Sequence, residues 1–178
     1  ECESVAICAG LWTREIARLA GASIPLLPSF HQYMVTELID GIDPDMPGVR
    51  DPDHLTYFRE EVGGLAAGGY EFNPVPYDKV PRVDDPAYRL FPEMTEQFAQ
   101  FMPGMIKRFP QLETVGVKRW FTALESFTED THFILGEMPE VRGLYTATGF
   151  NAMGIAAGGG AGMALAHWIA ESQAPYDL

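Results

Sequence analysis

Basic residues are scarce in this chain. Only 12 Lys and Arg stand against 25 Asp and Glu, a formal net charge of -13 over 178 residues. Affinity for DNA or RNA rests on cations that neutralise phosphates, so no nucleic-acid partner is expected. Cysteine is scarcer still, with Cys2 and Cys8 alone. On one extended strand they stand about 20 Å apart at roughly 3.3 Å per residue, too far for a disulfide. Two reduced thiols fit a cytoplasmic compartment, or the mitochondrial matrix in a eukaryote. A charged leader region and a cleavage site are also lacking at the N-terminus. The chain opens directly into the strand-like run Ser4 to Cys8, as expected of a fragment.

A long run of uninterrupted apolar residues is missing as well. Leu144 to Ala170 comes nearest and carries Gly154, Gly158 and Gly162 at small-residue packing distance. Asn151 and His167 interrupt it, and Thr146, Thr148 and the glycines dilute it, so no membrane span is expected. His54, His132 and His167 have no partners at metal-ligand spacing, and no metal is expected. The carboxylates of Asp51-Pro52-Asp53-His54 read as solvated loop residues.

What the sequence does contain is enough apolar material, 47% of residues, for a packed interior. Its first segment reads as strand, tight turn, helix. Thr13 is placed to cap a helix carrying Ile16, Leu19 and Ala20 on one face, and Gly21 supplies the stop. Phe30 to Leu38 has the β-branched and aromatic content of a strand, with His31, Tyr33 and Val35 on one face. Two further strands, Tyr57 to Val62 and Leu65 to Phe72, are predicted to pair antiparallel through a turn at Gly63-Gly64. Pro74 to Pro92 is proline-rich and polar. Glu93 to Phe109 then reads as two short helices divided at Pro103. Strands are predicted over Thr114 to Phe127, Phe133 to Leu135 and Leu144 to Thr148, and a helix over Ile155 to Ser172.

The chemistry concentrates at the C-terminal end, where the strand ending at Thr148 runs through Gly149-Phe150-Asn151-Ala152-Met153-Gly154 into a small-residue helix. Glycines there let backbone amides approach a ligand, and a helix N-terminus favours developing negative charge. Glycine and alanine at this spacing also permit tight helix-to-sheet packing, and the residues alone leave both readings open.

Three stretches occur in order: ICAGLW at Ile7 to Trp12, HQYMVT at His31 to Thr36, and FTEDTHFILGEMPEVRGLYTATGFNAMGIAAGGGAG at Phe127 to Gly162. Together they resemble the glycine-oxidase-like branch of FAD-dependent amine oxidoreductases, and within it the dimethylglycine and sarcosine dehydrogenases. The run to Ala174-Pro175-Tyr176-Asp177-Leu178 resembles the exit from that family's FAD domain. The resemblance implies an α+β fold. Residues 1–25 would end an FAD-binding Rossmann-like layer, 26–142 would form a mixed or antiparallel substrate-binding sheet with a helical insertion, and 143–178 would return to the FAD layer.

By the same resemblance FAD is the cofactor, with Ala9, Gly10, Trp12, Gly149, Phe150, Asn151, Gly154 and Ile155 facing it. The implied reaction oxidises the N-methyl C–N bond of a methylated glycine, such as sarcosine or dimethylglycine, by hydride transfer to the flavin. His31 and Tyr57 match positions that face the substrate, as a group that titrates near neutrality and a hydroxyl that donates to a carboxylate. Arg59, on the strand face of Tyr57, is a weaker candidate. The family's GxGxxG motif, which grips the nucleotide end of FAD, is lacking here, so an N-terminal FAD-binding segment is an expected partner. A folate-binding aminomethyltransferase domain is another. Two departures bear on substrate choice: Thr122-Ala123-Leu124 stands where the family has Asn-Gly-Pro, and Glu129 where it has Pro. The competing reading is a non-catalytic binding subunit.

Overall fold

The computed structural model describes residues 2–77 and 90–176, so the proline-rich stretch at 78–89 lies outside the described residues. The chain divides into two compact units. One comprises residues 1–29, 76–87 and 124–178, the other 30–75 and 88–123. Residues 124–142, expected with the substrate-binding sheet, cluster instead with the C-terminal segment.

The first unit holds a three-stranded sheet in the order β1-β8-β7, with β1 at Val5–Ile7, β8 at Leu144–Thr148 and β7 at Ile134–Glu137. β1 and β8 run parallel, Val5 opposite Leu144 and Ile7 opposite Thr146, and β7 adds antiparallel to β8. Helix α1, Thr13–Leu19, follows a helical turn at Gly10–Trp12. Thr13 is not the cap. It is the first residue of α1, buried, and its hydroxyl accepts from the amide of Ala9 at 3.1 Å. The buried face of α1 turns on Ala17 rather than Leu19, which is exposed. Gly21, at φ +82°, ends the segment as expected. Ile7, Ala17, Ile24, Leu26 and Leu144 form the core of this unit. The long helix α4, Gly154–Glu171, closes the described chain, and Ser172 caps it in the left-handed conformation.

The second unit is built on a sheet in the order β3-β4-β5-β2-β6. The strands are β2 Leu27–Thr36, β3 Val49–Asp51, β4 Thr56–Glu61, β5 Gly64–Gly69 and β6 Val117–Phe127. The unit boundaries fall within β2 and β6. The helical insertion holds two short α-helices as predicted, α2 at Thr95–Phe98 and α3 at Met102–Arg108, but they are joined by a tighter helical turn at Ala99–Phe101, and Pro103 sits in the first turn of α3 rather than at a break. Met34, Phe58, Leu65, Phe101 and Met105 are the centre of the core between sheet and helices.

The β4–β5 hairpin turns one residue earlier than its glycines suggest. Glu61 pairs with Gly64, so Val62 and Gly63 are the central residues, at φ 50° and 81°. Positive φ at both is the signature of a type I′ turn. Gly64 serves a different purpose: a Cβ there would lie 2.8 Å from the carbonyl of Glu37 and from Thr36 Oγ1. A β-branched valine in the left-handed region is strained, so Val62→Asn is expected to raise the unfolding free energy by about 1 kcal/mol. Urea denaturation of the two proteins checks this.

Asp51 corrects the expectation that its loop carboxylates are solvated. It is buried, and it accepts from Arg108 Nε at 2.6 Å and His54 Nδ1 at 2.8 Å. These bonds join the end of α3 to β3. Arg108 chiefly, then His54, holds the Asp51 carboxyl far below its ordinary value of 3.8. A depressed folded-state pKa contributes stability that is complete above the unfolded value and lost as pH falls towards the folded one. Thermal unfolding should therefore show an acid-side loss beginning below about pH 4, and Asp51→Asn should weaken that dependence while lowering stability near neutrality.

Candidate functional site

In the first unit, the parallel pairing of β1 with β8 sets two turns side by side. One follows β1 at Gly10, φ +54°, and the other follows β8 at Gly149, φ +68°. Thr146 and Thr148 reinforce the junction by donating to the carbonyls of Ile7 at 3.0 Å and Gly10 at 3.5 Å. The turn after β8 continues through Asn151 and Ala152, both at positive φ. Asn151 stabilises it: Oδ1 accepts the amide of Thr128 at 2.9 Å, and Nδ2 donates to the carbonyl of Gly149 at 2.7 Å. Gly149 cannot carry a side chain here, because a Cβ would stand 2.7 Å from the Thr128 methyl.

Around these turns lies a cavity of about 480 Å³ whose lining belongs wholly to this unit. Gly10, Gly149, Phe150, Asn151, Gly154 and Ile155 all line it. Ala9 and Trp12 do not. Ala9 directs its amide to Thr13, and the indole N–H of Trp12 is buried without an acceptor. The walls also include Cys8, Leu11, Glu125, Ser126, Gly158 and Gly162, which the sequence reading did not single out as site residues. A signal for two of them existed, since Gly154, Gly158 and Gly162 recur at intervals of four along one helix face.

The helix glycines are open on their outer side. A Cβ on Gly158 or Gly162 would meet nothing within 4 Å, so neither serves close packing of one described element on another. They leave a strip of bare backbone along the cavity. Helix α4 also begins with no side-chain cap and no acidic residue in its first turn. Its first amides are thus suited to electron-rich atoms of a ligand. A flat, electron-accepting ring such as isoalloxazine fits this wall.

A separate constellation occupies the second unit. His31 on β2 is buried and shares a 2.8 Å hydrogen bond between its Nδ1 and Glu71 Oε2. Its Nε2 lies 3.4 Å from the hydroxyl of Tyr57 on β4, with the two rings stacked at 6.4 Å between centroids. Tyr70 stands 5.4 Å from Tyr57, and the Arg50 guanidinium lies over the Tyr70 ring. The phenol of Tyr57 crosses the strand opposite it, over Gly68, where a Cβ would collide with the ring. Arg59 does not join this group through any described contact. It pairs with Glu61 at 2.8 Å on the exposed part of β4.

Glu71 escaped the sequence reading, as did Gln32. Gln32 Oε1 accepts from the Met94 amide and from Thr122 Oγ1, each at 2.6 Å. Thr122 is one of the departures from the family pattern, and it is fully buried. Among the described residues no cluster of His, Cys, Asp or Glu is arranged to hold a metal, and no helix is long and apolar enough to cross a membrane.

The family model for FAD dependent oxidoreductases matches residues 1–168. Human mitochondrial sarcosine dehydrogenase is 43% identical over 171 residues, covering 96% of this chain and 18% of the human protein. The mouse mitochondrial pyruvate dehydrogenase phosphatase regulatory subunit is 33% identical over 172 residues, covering 95% of this chain and 20% of that protein. Among solved structures, glycine oxidase from Geobacillus kaustophilus superposes with a TM-score of 0.71 at 20% identity, over 99% of this chain and 44% of the oxidase. The chain therefore belongs to the FAD-dependent oxidoreductase family, and it spans about a fifth of the curated relatives' length.

The Asn151 turn yields a measurable contrast. Asn151→Ala loses both the side-chain hydrogen bonds and the tolerance for positive φ, whereas Asn151→Gly loses only the bonds. The alanine variant is expected to be the less stable by about 1 kcal/mol in urea denaturation.

Proposed function

We propose that this chain forms the substrate-binding part of an FAD-dependent oxidoreductase that oxidises the N-methyl C–N bond of a methylated glycine such as sarcosine or dimethylglycine. The observation that carries the reading is the glycine-rich cavity of the first unit, where Gly10, Gly149, Gly154, Gly158 and Gly162 line the space at the uncapped start of α4. Family membership and the 43% identity to a sarcosine dehydrogenase support it. When bound, FAD supplies the hydride acceptor. Gly10, Gly149, Phe150, Asn151, Gly154 and Ile155 would hold it, with Ala9 and Trp12 supporting the turn before α1.

The chain's own chemistry lies with His31 and Tyr57. We assign them the substrate: the imidazole tunes the proton on the amine, which must be lost before electrons can leave the adjoining carbon, and the phenol donates to the carboxylate. Nucleotide binding would come from a further segment of the same polypeptide, because the GxGxxG motif is not in this sequence. A folate-binding aminomethyltransferase domain would be a second companion, taking up the one-carbon unit. A matrix location is consistent with the mitochondrial relatives.

A second reading has a specific observation behind it, since a regulatory subunit stands among the relatives. In that case the fold binds but does not oxidise. The natural polypeptide containing this chain should purify yellow, and anaerobic sarcosine or dimethylglycine should bleach its flavin. His31→Ala is expected to slow that bleaching about a hundredfold or more while leaving flavin content unchanged. Bound flavin that no methylated amine reduces would favour the regulatory reading instead.

A further inference from the structure

We infer that Glu71 is a positioning residue that fixes the proton of His31 on Nδ1 and presents a bare Nε2 towards Tyr57. The inference rests on the reading of His31 as a substrate-facing group, and it adds a residue that the sequence motifs do not identify.

Its basis is the contact between Glu71 Oε2 and His31 Nδ1, 2.8 Å long, with the carboxylate side chain only 3% exposed and the imidazole 8%. An ionised carboxylate only accepts, so the shared proton must sit on Nδ1. In a neutral imidazole the other nitrogen is then an acceptor, and the Tyr57 hydroxyl stands 3.4 Å from it. Amide groups crowd the space around Glu71. The small void beside it is also lined by Gln32 and Gln97, whose Nε2 atoms are both buried with no hydrogen-bond partner among the described residues. Gln32 cannot simply be turned the other way, because its Oε1 already accepts two hydrogen bonds. Partial positive charge on that wall stabilises an anion.

The groups able to influence the imidazole come from several elements. Tyr57 on β4 and Tyr70 just after β5 stack near the ring, Glu71 follows Tyr70, and Arg50 on β3 reaches the group across the Tyr70 ring. Glu71 is a charged group in direct contact with the imidazole. It therefore does two things: it selects the tautomer, and it makes His31 more basic by stabilising the imidazolium. A solvated histidine would exchange its proton between both nitrogens and leave Tyr57 facing a donor for part of the time.

Nitrogen-15 spectra of the histidine-labelled chain test this without substrate, His31 being assigned by the signal lost in His31→Asn. In the neutral state Nδ1 should carry the proton. Glu71→Gln, which keeps shape and an acceptor but removes the charge, should retain the tautomer and move the His31 titration midpoint to lower pH by about one unit. A proton on Nε2 in the wild-type chain, or a midpoint unmoved by Glu71→Gln, would overturn the proposal. The functional reading is judged separately, from the acidic limb of flavin reduction in the natural flavoprotein. If that limb follows the NMR midpoint, both stand. If the NMR result holds while His31→Asn leaves flavin reduction unchanged, the positioning of the proton is upheld and the catalytic reading falls.

Discussion

The parallel pairing of β1 with β8 is the constraint on which the first unit depends. It joins strands from opposite ends of the sequence, and closing so long a loop carries an entropic cost that three paired residues alone do not repay. The repayment comes from burial of Ile7 and Leu144 against Ala17, Ile24 and Leu26, and from threonine hydroxyls that donate across the junction. Once the strands are locked, two chain reversals fall next to each other. Their glycines occupy conformations that side chains resist, and a cavity lined in part by glycine backbone is the outcome.

The second unit solves a different problem, that of keeping polar groups inside a sheet. Buried carboxylates are costly unless paired, and both conspicuous ones are. Asp51 takes Arg108 and His54, and Glu71 takes His31. The first pair braces a helix against a strand edge. The second sits among aromatic rings, where it governs the state of a single imidazole.

Local signals were legible in the sequence wherever one residue's stereochemistry decides the backbone. Pro103 settled into the first turn of α3, Gly21 stopped α1, and the β4–β5 hairpin was visible from its flanking pattern. The turn was misplaced by one residue because Gly64 is there for space beside Thr36 and Glu37, a requirement set by a strand elsewhere in the chain. The same limit hid Glu71 and Asp51. Asp51 has a local partner in His54, but Arg108, which chiefly holds it, and His31, which holds Glu71, are far away in sequence. The glycine face of α4 was visible as a period of four, but that no described residue packs against Gly158 or Gly162 was not. Six of the eight residues assigned to the cofactor line one cavity; the other two were adjacent in sequence but turned inward.

Gly68 carries a consequence for how this protein can change over time. Because the phenol of Tyr57 lies across it, a side chain at 68 and an aromatic at 57 compete for one volume. The two positions must then drift together: a lineage that exchanges Tyr57 for a smaller residue becomes free to lose Gly68, and a lineage that acquires alanine at 68 first tilts the hydroxyl away from His31. Divergence in substrate preference within such a fold would be written as paired replacements across adjacent strands rather than as isolated ones.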